Sequence, residues 1–242
     1  MTTPTRQILA TSGGFLSTPR GPRPGPLLEH ALSLSGKERP RLCFVNTAGG
    51  DPSEWIAIEY AAFADRDDVV VSHLALFTMP NVADPGAHLL AQDVIWVGGG
   101  SVANLLAVWR VHGLDQAFRE AWERGIVLAG VSAGSLCWHV GGTTDSFGPD
   151  LQPVTNGLGL LPFSNGVHYD TEEQRRPLLH RLIGDGTLPD GYATDDGVGL
   201  HYVGTELNEV VSERDGVAAY QVIRTSPGEV AETRLEPRLL SG

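Results

Sequence analysis

The chain has 242 residues, of which 41% are hydrophobic, and its formal net charge is −12. This length and apolar content suit one large core, so we predict a single domain over residues 1–242. The acidic charge balance argues against nucleic acid or an anionic membrane as a partner. Apolar stretches stay shorter than the roughly 18 residues of a membrane span, and the N-terminus has no signal-peptide core, which together predict a cytoplasmic protein.

Strand-like and helix-like segments alternate through the first half of the chain. Apolar runs predict strands at 7–10, 41–46, 69–76 and 93–97, and helical spacing predicts helices at 27–34, 54–64 and 114–124. This alternation predicts an α/β fold, in which helices cover both faces of a doubly wound, mostly parallel sheet. Shorter β-type runs follow residue 141, and Asp215-Gly216 between two of them predicts a C-terminal β-hairpin.

The most informative segment is a G-x-S-x-G pattern over residues 130–134, which follows an apolar run of strand length. A serine on a tight turn between a strand and a helix has its hydroxyl held clear of the backbone, and glycines remove side chains that would clash there. The N–H of Ala133 can stabilise negative charge beside that hydroxyl. The pattern therefore predicts a nucleophilic Ser132; the alternative is a glycine-rich turn whose serine only caps the helix.

A second glycine-rich loop, Gly98-Gly99-Gly100, follows the predicted strand 93–97. Such glycines let backbone N–H groups approach a ligand closely, as in phosphate cradles and oxyanion holes. No lysine follows at the spacing of a phosphate-binding loop and no G-x-G-x-x-G occurs, so a nucleotide is the weaker interpretation. Loops at the carboxyl ends of parallel strands meet at one edge of a sheet, so both glycine loops together indicate acyl transfer.

A serine nucleophile needs a base, and the base needs an orienting acid. Among the eight histidines, His168 ends a short apolar run and begins a polar cluster, as expected for a functional histidine at a strand end. His201 is the rival, because α/β-hydrolases carry their acid before the histidine, and Asp195 or Asp196 would fit. However, His201 lies within a predicted strand and has no flexible loop to carry it to the turn. We therefore prefer His168.

Six short motifs occur in order along the chain. They are Gly98-Gly99-Gly100, Gly130-Val131-Ser132-Ala133-Gly134, Thr144-Asp145-Ser146-Phe147-Gly148, His168-Tyr169-Asp170, Glu173-Gln174-Arg175 and Asp196-Gly197. Together they resemble the peptidase E (aspartyl dipeptidase) family, whose relatives include cyanophycinase. The resemblance implies a fold similar to class I glutamine amidotransferases. Those amidotransferases carry cysteine at the turn, so a serine here argues against glutamine hydrolysis.

The resemblance also implies roles for particular residues. Ser132 matches the nucleophile, His168 the base and Asp196 the acid of a triad. The neighbouring Asp195 is an alternative acid, and Asp145 matches a family aspartate near the site. The oxyanion-hole N–H groups match Gly99 or Gly100 and Ala133.

One departure from the family bears on the substrate. Aspartyl dipeptidases carry arginine where Glu172 stands, and a glutamate would repel the substrate aspartate that such an arginine binds. The alternative is that Glu172 is a solvated carboxylate at the start of a helix. With Tyr169 and Asp170 as further substrate-binding candidates, we expect an acidic pocket near His168 that accepts the α-amino group of a peptide.

The sequence therefore predicts a serine exopeptidase for short peptides, without strict aspartate selectivity. We expect no metal and no organic cofactor, because neither an H-E-x-x-H motif nor clustered cysteines occur. Two alternatives are an esterase that uses Ser132 with His201 and a non-catalytic, amidotransferase-like binding module. A homo-oligomer is possible on this sequence.

Overall fold

The computed structural model describes residues 4–19 and 21–241. Positions 1–3, 20 and 242, which the predicted single domain includes, lie outside the described residues. The strands are β1 Gln7–Thr11, β2 Phe15–Leu16, β3 Arg23–Pro24, β4 Arg41–Val45, β5 Val70–Leu74, β6 Val94–Val97, β7 Val127–Val131, β8 His139–Thr144, β9 Gln152–Val154, β10 Leu161–Gly166, β11 Gly191–Thr194, β12 Val198–Val203, β13 Glu206–Ser212, β14 Ala219–Ser226, β15 Glu229–Leu235 and β16 Arg238–Leu239. The helices are α1 Pro26–Leu34, α2 Ser53–Ala62, α3 Pro85–Leu90, α4 Val102–Val111, α5 Leu114–Glu123, α6 Ala133–Leu136 and α7 Arg175–Gly184, with a 3-10 helix at Thr47–Gly49.

The larger sheet has the strand order β16-β13-β12-β1-β7-β6-β4-β5. Its strands β1, β7, β6, β4 and β5 pair in parallel, whereas β12 and β13 add an antiparallel extension. Apolar residues of α1, such as Leu28, pack on one face, and those of α4 and α5, such as Trp109 and Phe118, pack on the other. The predicted doubly wound, mostly parallel sheet is therefore confirmed. In the described part of the chain, no helix has the length and apolarity needed to cross a membrane.

A second sheet, of order β15-β14-β11-β10-β8-β9, carries the residues that complete the site. Its strands β10 and β11 are parallel neighbours, so the loops that follow them emerge at the same edge. The backbone N–H of His168, just after β10, donates to Ser12 Oγ at the end of β1, at 3.3 Å. This contact joins the edge of the second sheet to the edge of the larger one.

The predicted C-terminal hairpin forms at a different place. Asp215-Gly216 connects β13 in the larger sheet to β14 in the second sheet, so the two flanking strands do not pair there. The hairpins are instead β12–β13 and β14–β15, which turn at Gly204 and Gly228 with φ of 60° and 85°. An Asp-Gly pair specifies a local turn, but packing decides which sheet receives the following strand.

The helix after Ser132 is short. It ends at Leu136, and β8 begins at His139. The reason is close packing, because a Cβ at Gly142 would lie 2.0 Å from Asn165 O of the paired strand β10. Glycines favour this backbone approach and weaken a helix, so tertiary packing overrides the helical pattern.

Candidate active site

Ser132 occupies a sharp turn between β7 and α6. Its φ of 56° and ψ of −111° are rare for a residue with a side chain and cost of order 1–3 kcal/mol. The turn is held because Ser132 N–H donates to Thr11 O at 3.0 Å and Ser132 O accepts from Ser135 N–H at 2.9 Å. A Cβ at Gly134 would lie 2.2 Å from Val97 O, which explains the glycine at that position of the G-x-S-x-G pattern.

The glycine loop after β6 lies directly beside Ser132. A Cβ at Gly99 would be 3.4 Å from the Ser132 Cβ, and Gly100 has φ of 132° with its Cβ position 2.4 Å from Ala48 O. Within residues 4–19 and 21–241, the N–H groups of Gly99, Gly100 and Ala133 donate to no protein acceptor. The turn is therefore surrounded by backbone donors that remain available to a ligand.

His168 and Asp196 form the shortest polar contact in this region. The His168 Nδ1–H donates to Asp196 Oδ1 at 2.5 Å, and the two side chains are 24% and 37% exposed. This bond leaves Nε2 as the acceptor nitrogen of the neutral ring, and Nε2 has no partner among the described residues. Like Ser132, His168 has a positive φ, of 53°. An oriented imidazole with one free nitrogen can serve as a general base.

Ser12 and Thr11, at the end of β1, lie between the two halves of this arrangement. Thr11 O accepts from Ser132 N–H, and the Ser12 hydroxyl accepts from His168 N–H while it bonds Thr194 Oγ1 at 2.7 Å. The Ser132 hydroxyl itself makes no hydrogen bond to His168 within the described chain. Such bonds are commonly long in unliganded sites and tighten when substrate binds. Sequence reasoning missed Ser12, although Gly13-Gly14 marks this strand end like the other two.

Asp196 is held from several directions. Thr171 Oγ1 donates to its Oδ2 at 3.1 Å, and its backbone N–H donates to Asp170 Oδ1 at 2.8 Å. Arg214 donates from Nε to Asp196 O at 2.8 Å and from Nη2 to Asp170 Oδ2 at 2.7 Å. Asp170 and Arg214 thus clamp the turn that carries the acid. Nothing in the sequence near Arg214 indicates this contact, because it depends on how β13 and β14 are connected.

The alternative acids lie elsewhere. Asp195 is 4% exposed, accepts from Ala218 N–H at 2.9 Å and makes no contact with His168; burial raises its pKa. Asp145 is exposed, and its carboxylate has no hydrogen bond within the described residues. The structure therefore brings Asp196, and neither of these two, to the histidine.

Tyr169 differs from its predicted role in substrate binding. It is 4% exposed, and its hydroxyl donates to Glu232 Oε2 at 2.8 Å. Its ring packs against Tyr220 and beneath the guanidinium of Arg176. Although Tyr169 follows His168 in sequence, its ring packs in the core of the second sheet, between α7 and β14.

The two carboxylates that were expected to form an acidic pocket near His168 are paired with arginines in the structure. Asp170 is paired with Arg214, as described above, and Glu172 Oε2 accepts from the buried Arg175 Nε at 2.8 Å. Each carboxylate already has a guanidinium partner, so neither is free to bind an amine as the sequence suggested. Glu172 still lines a cavity of about 430 Å³ together with Asp145 and Glu173.

His201 stays within β12, as its sequence context indicates. It is 4% exposed, and its Nε2 lies 3.1 Å from Gln7 Oε1 and its Nδ1 3.6 Å from Glu209 Oε1. None of these partners belongs to the turn at Ser132. The structure therefore does not bring His201 to Ser132.

Comparison with known proteins places this site in a family. Residues 8–210 match the model of peptidase family S51. The chain is 43% identical over 235 residues to the uncharacterized peptidase YgaJ of Bacillus subtilis, covering 97% of this chain and 99% of that protein. It is 26% identical to a peptidase E of Shewanella denitrificans, covering 79% and 84% of the two chains.

The structural comparison agrees on the fold. The crystal structure of a peptidase from an acI-B1 actinobacterium superposes with a TM-score of 0.71 at 20% sequence identity, covering 97% of this chain and 96% of that one. The family match spans the glycine loop, the serine turn, His168 and Asp196. The chain therefore belongs to peptidase family S51 and is a serine peptidase.

Proposed function

We propose that this peptidase is a serine exopeptidase that hydrolyses short peptides through Ser132, His168 and Asp196. The observation that supports this most is the 2.5 Å bond between His168 Nδ1 and Asp196 Oδ1 at the edge of the second sheet, which the contact of His168 with Ser12 joins to the sheet edge that carries the strained serine turn. Ser132 and His168 also share an uncommon backbone conformation, because both have a positive φ. Such strain persists where the surrounding structure holds a functional geometry.

In the proposed mechanism, Ser132 Oγ attacks the carbonyl carbon while His168 Nε2 takes the hydroxyl proton. His168 then gives this proton to the leaving amine, and the C–N bond breaks to leave an acyl-enzyme. Asp196 accepts from Nδ1–H throughout, so the ring keeps the correct tautomer. Water, deprotonated by His168, hydrolyses the ester and restores Ser132.

The backbone donors supply the oxyanion hole in this mechanism. We assign this role to Ala133 N–H together with Gly99 or Gly100 N–H, because all three are free of protein acceptors in the described chain. Loss of one such donor typically costs roughly 3 kcal/mol of transition-state stabilisation. The mechanism uses no metal, so chelators should leave the activity unchanged.

The size and charge of the surroundings support a short substrate without strict aspartate selectivity. The cavity beside the serine turn has a volume of about 250 Å³, below the range of about 300–1,000 Å³ for small-molecule sites, and a second cavity of about 430 Å³ is near the lower end of that range. The larger one is lined by Asp145, Glu172 and Glu173, and Arg175 neutralises only Glu172. A surplus of carboxylates there disfavours an acidic side chain.

The test is active-site labelling combined with peptide hydrolysis. A serine-reactive aryl phosphonate should add one group per chain, and peptide mapping should place it on Ser132 rather than on the buried Ser135. Ser132→Ala should lose both labelling and peptide hydrolysis while it retains the native unfolding temperature. A native protein that is neither labelled nor able to hydrolyse peptides would instead be a binding module, and an ester-specific activity that depends on His201 would replace our assignment.

A further inference from the structure

A cavity of about 250 Å³ opens beside the serine turn, which is the volume of roughly eight water molecules. Gly99 and Val131, which lie at the ends of β6 and β7, form the wall nearest to Ser132. Gly99 is in contact distance of Ser132, as its Cβ position shows. A group bound in this cavity would therefore lie next to a carbonyl carbon that is positioned for attack by Ser132.

Three aromatic side chains also line the cavity. Phe15 and Trp55 are partly exposed and meet edge to face at 5.6 Å between ring centroids, and Trp96 is 1% exposed. Within the described chain, no charged side chain lines the cavity. Its surface is accordingly suited to an apolar or aromatic group, which gains free energy by leaving water.

The polar side chain of this cavity is Asn46, and its Nδ2 already has a partner. Asn46 Nδ2 donates to Glu59 Oε2 at 2.8 Å, behind the cavity wall. Glu59 is 1% exposed, and burial raises its pKa to about 8. The carboxyl group is therefore mostly protonated at neutral pH, and the surroundings of the cavity carry no net charge from this residue.

The position of the cavity relative to His168 decides which part of a peptide reaches it. In the larger sheet, β7 lies between β1 and β6. His168 is bonded to Ser12 on the β1 side of Ser132, whereas the cavity wall, apart from Phe15, comes mainly from segments that lie in or follow β4 and β6. Because His168 protonates the leaving amine, the leaving residue lies toward β1. The acyl portion must then extend toward β6 and the cavity.

We propose that this aromatic cavity binds the side chain of the residue that supplies the scissile carbonyl, and that it selects uncharged apolar or aromatic side chains. The inference rests on the proposed function, because it uses the direction of proton transfer by His168. For an exopeptidase that releases the N-terminal residue, this side chain is the N-terminal one. Leucine and phenylalanine at that position should be favoured, and aspartate should be disfavoured because its charge would be buried without a partner.

The experiment compares kcat/KM for X-Leu amides in which X is Gly, Leu, Phe or Asp. The native enzyme should prefer Leu or Phe over Gly by about tenfold or more, the usual value of a filled apolar pocket. Gly49→Leu should fill the cavity, since a Cβ there meets only ordinary contacts, the nearest being Pro52 Cδ at 3.6 Å. We expect this variant to bring the Leu/Gly and Phe/Gly ratios close to one, because the added side chain would occupy the space of the substrate side chain.

Trp55→Ala is a second variant that removes a wall, and it should lower the Phe/Gly ratio. Tyr60→Ala is the matched control, because Tyr60 lies on the same helix, is 41% exposed and does not line the cavity. If the native ratios are near one, or if Gly49→Leu lowers all substrates equally, the inference is overturned while Ser132-dependent hydrolysis still supports the proposed function. If no substrate is cleaved and no phosphonate labels Ser132, the proposed function fails and the inference fails with it.

Discussion

Among the described residues, two of the clusters that pair a histidine with a carboxylate differ in what is left unsatisfied. In one, His168 follows β10 and bonds Asp196 at 2.5 Å, with a free Nε2. In the other, His201 lies within β12, 3.6 Å from Glu209, and its Nε2 faces Gln7. Both pairs look alike as residue types, so proximity of a histidine to an acid does not by itself identify a base.

The carboxylate of the second cluster is saturated by its neighbours. Both Glu209 oxygens accept from Arg238, and the His201 ring packs edge-on against His30 with centroids 5.8 Å apart. His30, His201 and Glu209 bring ligand-type atoms within 4.8 Å of one another, but the guanidinium already occupies the carboxylate. A functional histidine needs a strand-end position and one free ring nitrogen, and only the first cluster has both.

The largest effect should separate these two histidines. His168→Gln removes the proposed base, so kcat/KM for short peptides should fall by about 10⁴-fold or more. His201→Gln keeps a side chain that can bond Gln7 and Glu209, and it should change kcat/KM by less than about threefold. The measurement is steady-state hydrolysis of the same peptide amide by both variants, with thermal unfolding to show that each is folded.

The opposite result would contradict the assignment of His168 as the base. If His201→Gln lost the activity and His168→Gln kept it, the base would have to be His201, in a conformation that moves β12. The proposed triad would then be wrong.

The next effect separates two adjacent acids. Asp196→Asn leaves the size of the side chain unchanged but removes the charge that orients His168, so kcat should fall by about 10³- to 10⁴-fold. Asp195→Asn is the matched control, because Asp195 bonds Ala218 N–H in the second sheet and does not touch the histidine. Pre-steady-state acylation rates for both variants would check this, and equal losses would argue that the turn acts as a unit.

A smaller effect should come from the clamp on that turn. Arg214→Gln removes the bonds to Asp196 O and Asp170, and we expect kcat to fall about tenfold with little change in KM, since Arg214 is half exposed and its bonds are screened. A lysine at this position should recover only part of the loss, because it cannot make the two-pronged contact. The control is Arg234→Gln, an exposed arginine paired with Glu236, which should leave kcat unchanged. A rise in KM alone would indicate that Arg214 contacts substrate instead.

Much of the larger sheet could be predicted from the sequence, and the reasons are local. The runs that form β4, β6 and β7 are continuously apolar, as strands buried on both faces must be. Glycine loops follow β6 and β7 because the backbone approaches another backbone segment there, and a Cβ at Gly100 or Gly134 would clash with a carbonyl oxygen. The glycines of the G-x-S-x-G pattern therefore also mark the strand end at which Ser132 lies.

The second sheet was harder to predict because its strands are specified by distant contacts. The strand β8 contains two glycines, and its pairing with β10 depends on the fit of Gly142 against Asn165 O. The contact of Arg214 with Asp196 joins residues 18 positions apart across two sheets. The ion pair of Glu172 with Arg175 depends on Arg175 turning inward, to 2% exposure, which its charge alone would not suggest.

The smallest expected effect concerns the saturated cluster, and it appears in stability rather than in rate. Burial lowers the pKa of His201 below its ordinary value of 6.5, and burial also lowers the pKa of the neighbouring His30. As pH falls through 6.5, the unfolded chain binds a proton at His201 while the folded chain does not, so the free energy of unfolding decreases. This loss continues until the lowered folded pKa is reached, and each such histidine contributes at most about 1.4 kcal/mol per pH unit.

His201→Gln should therefore flatten the decline of stability on the acid side of pH 6.5. Urea unfolding of the native protein and of this variant at several pH values between 8 and 5 measures the difference, with the values at pH 8 as the reference because the ring is neutral in both states there. Subtracting the two curves removes the titration of groups that do not interact with His201, including the buried His139, whose pKa burial lowers to about 4. Parallel curves would mean that His201 binds its proton equally well in the folded chain, and that Glu209, despite Arg238, still stabilises a charged imidazole. In that case the two clusters would differ only in their position, and the bonds from Arg238 to Glu209 could not explain why His201 has only a structural role.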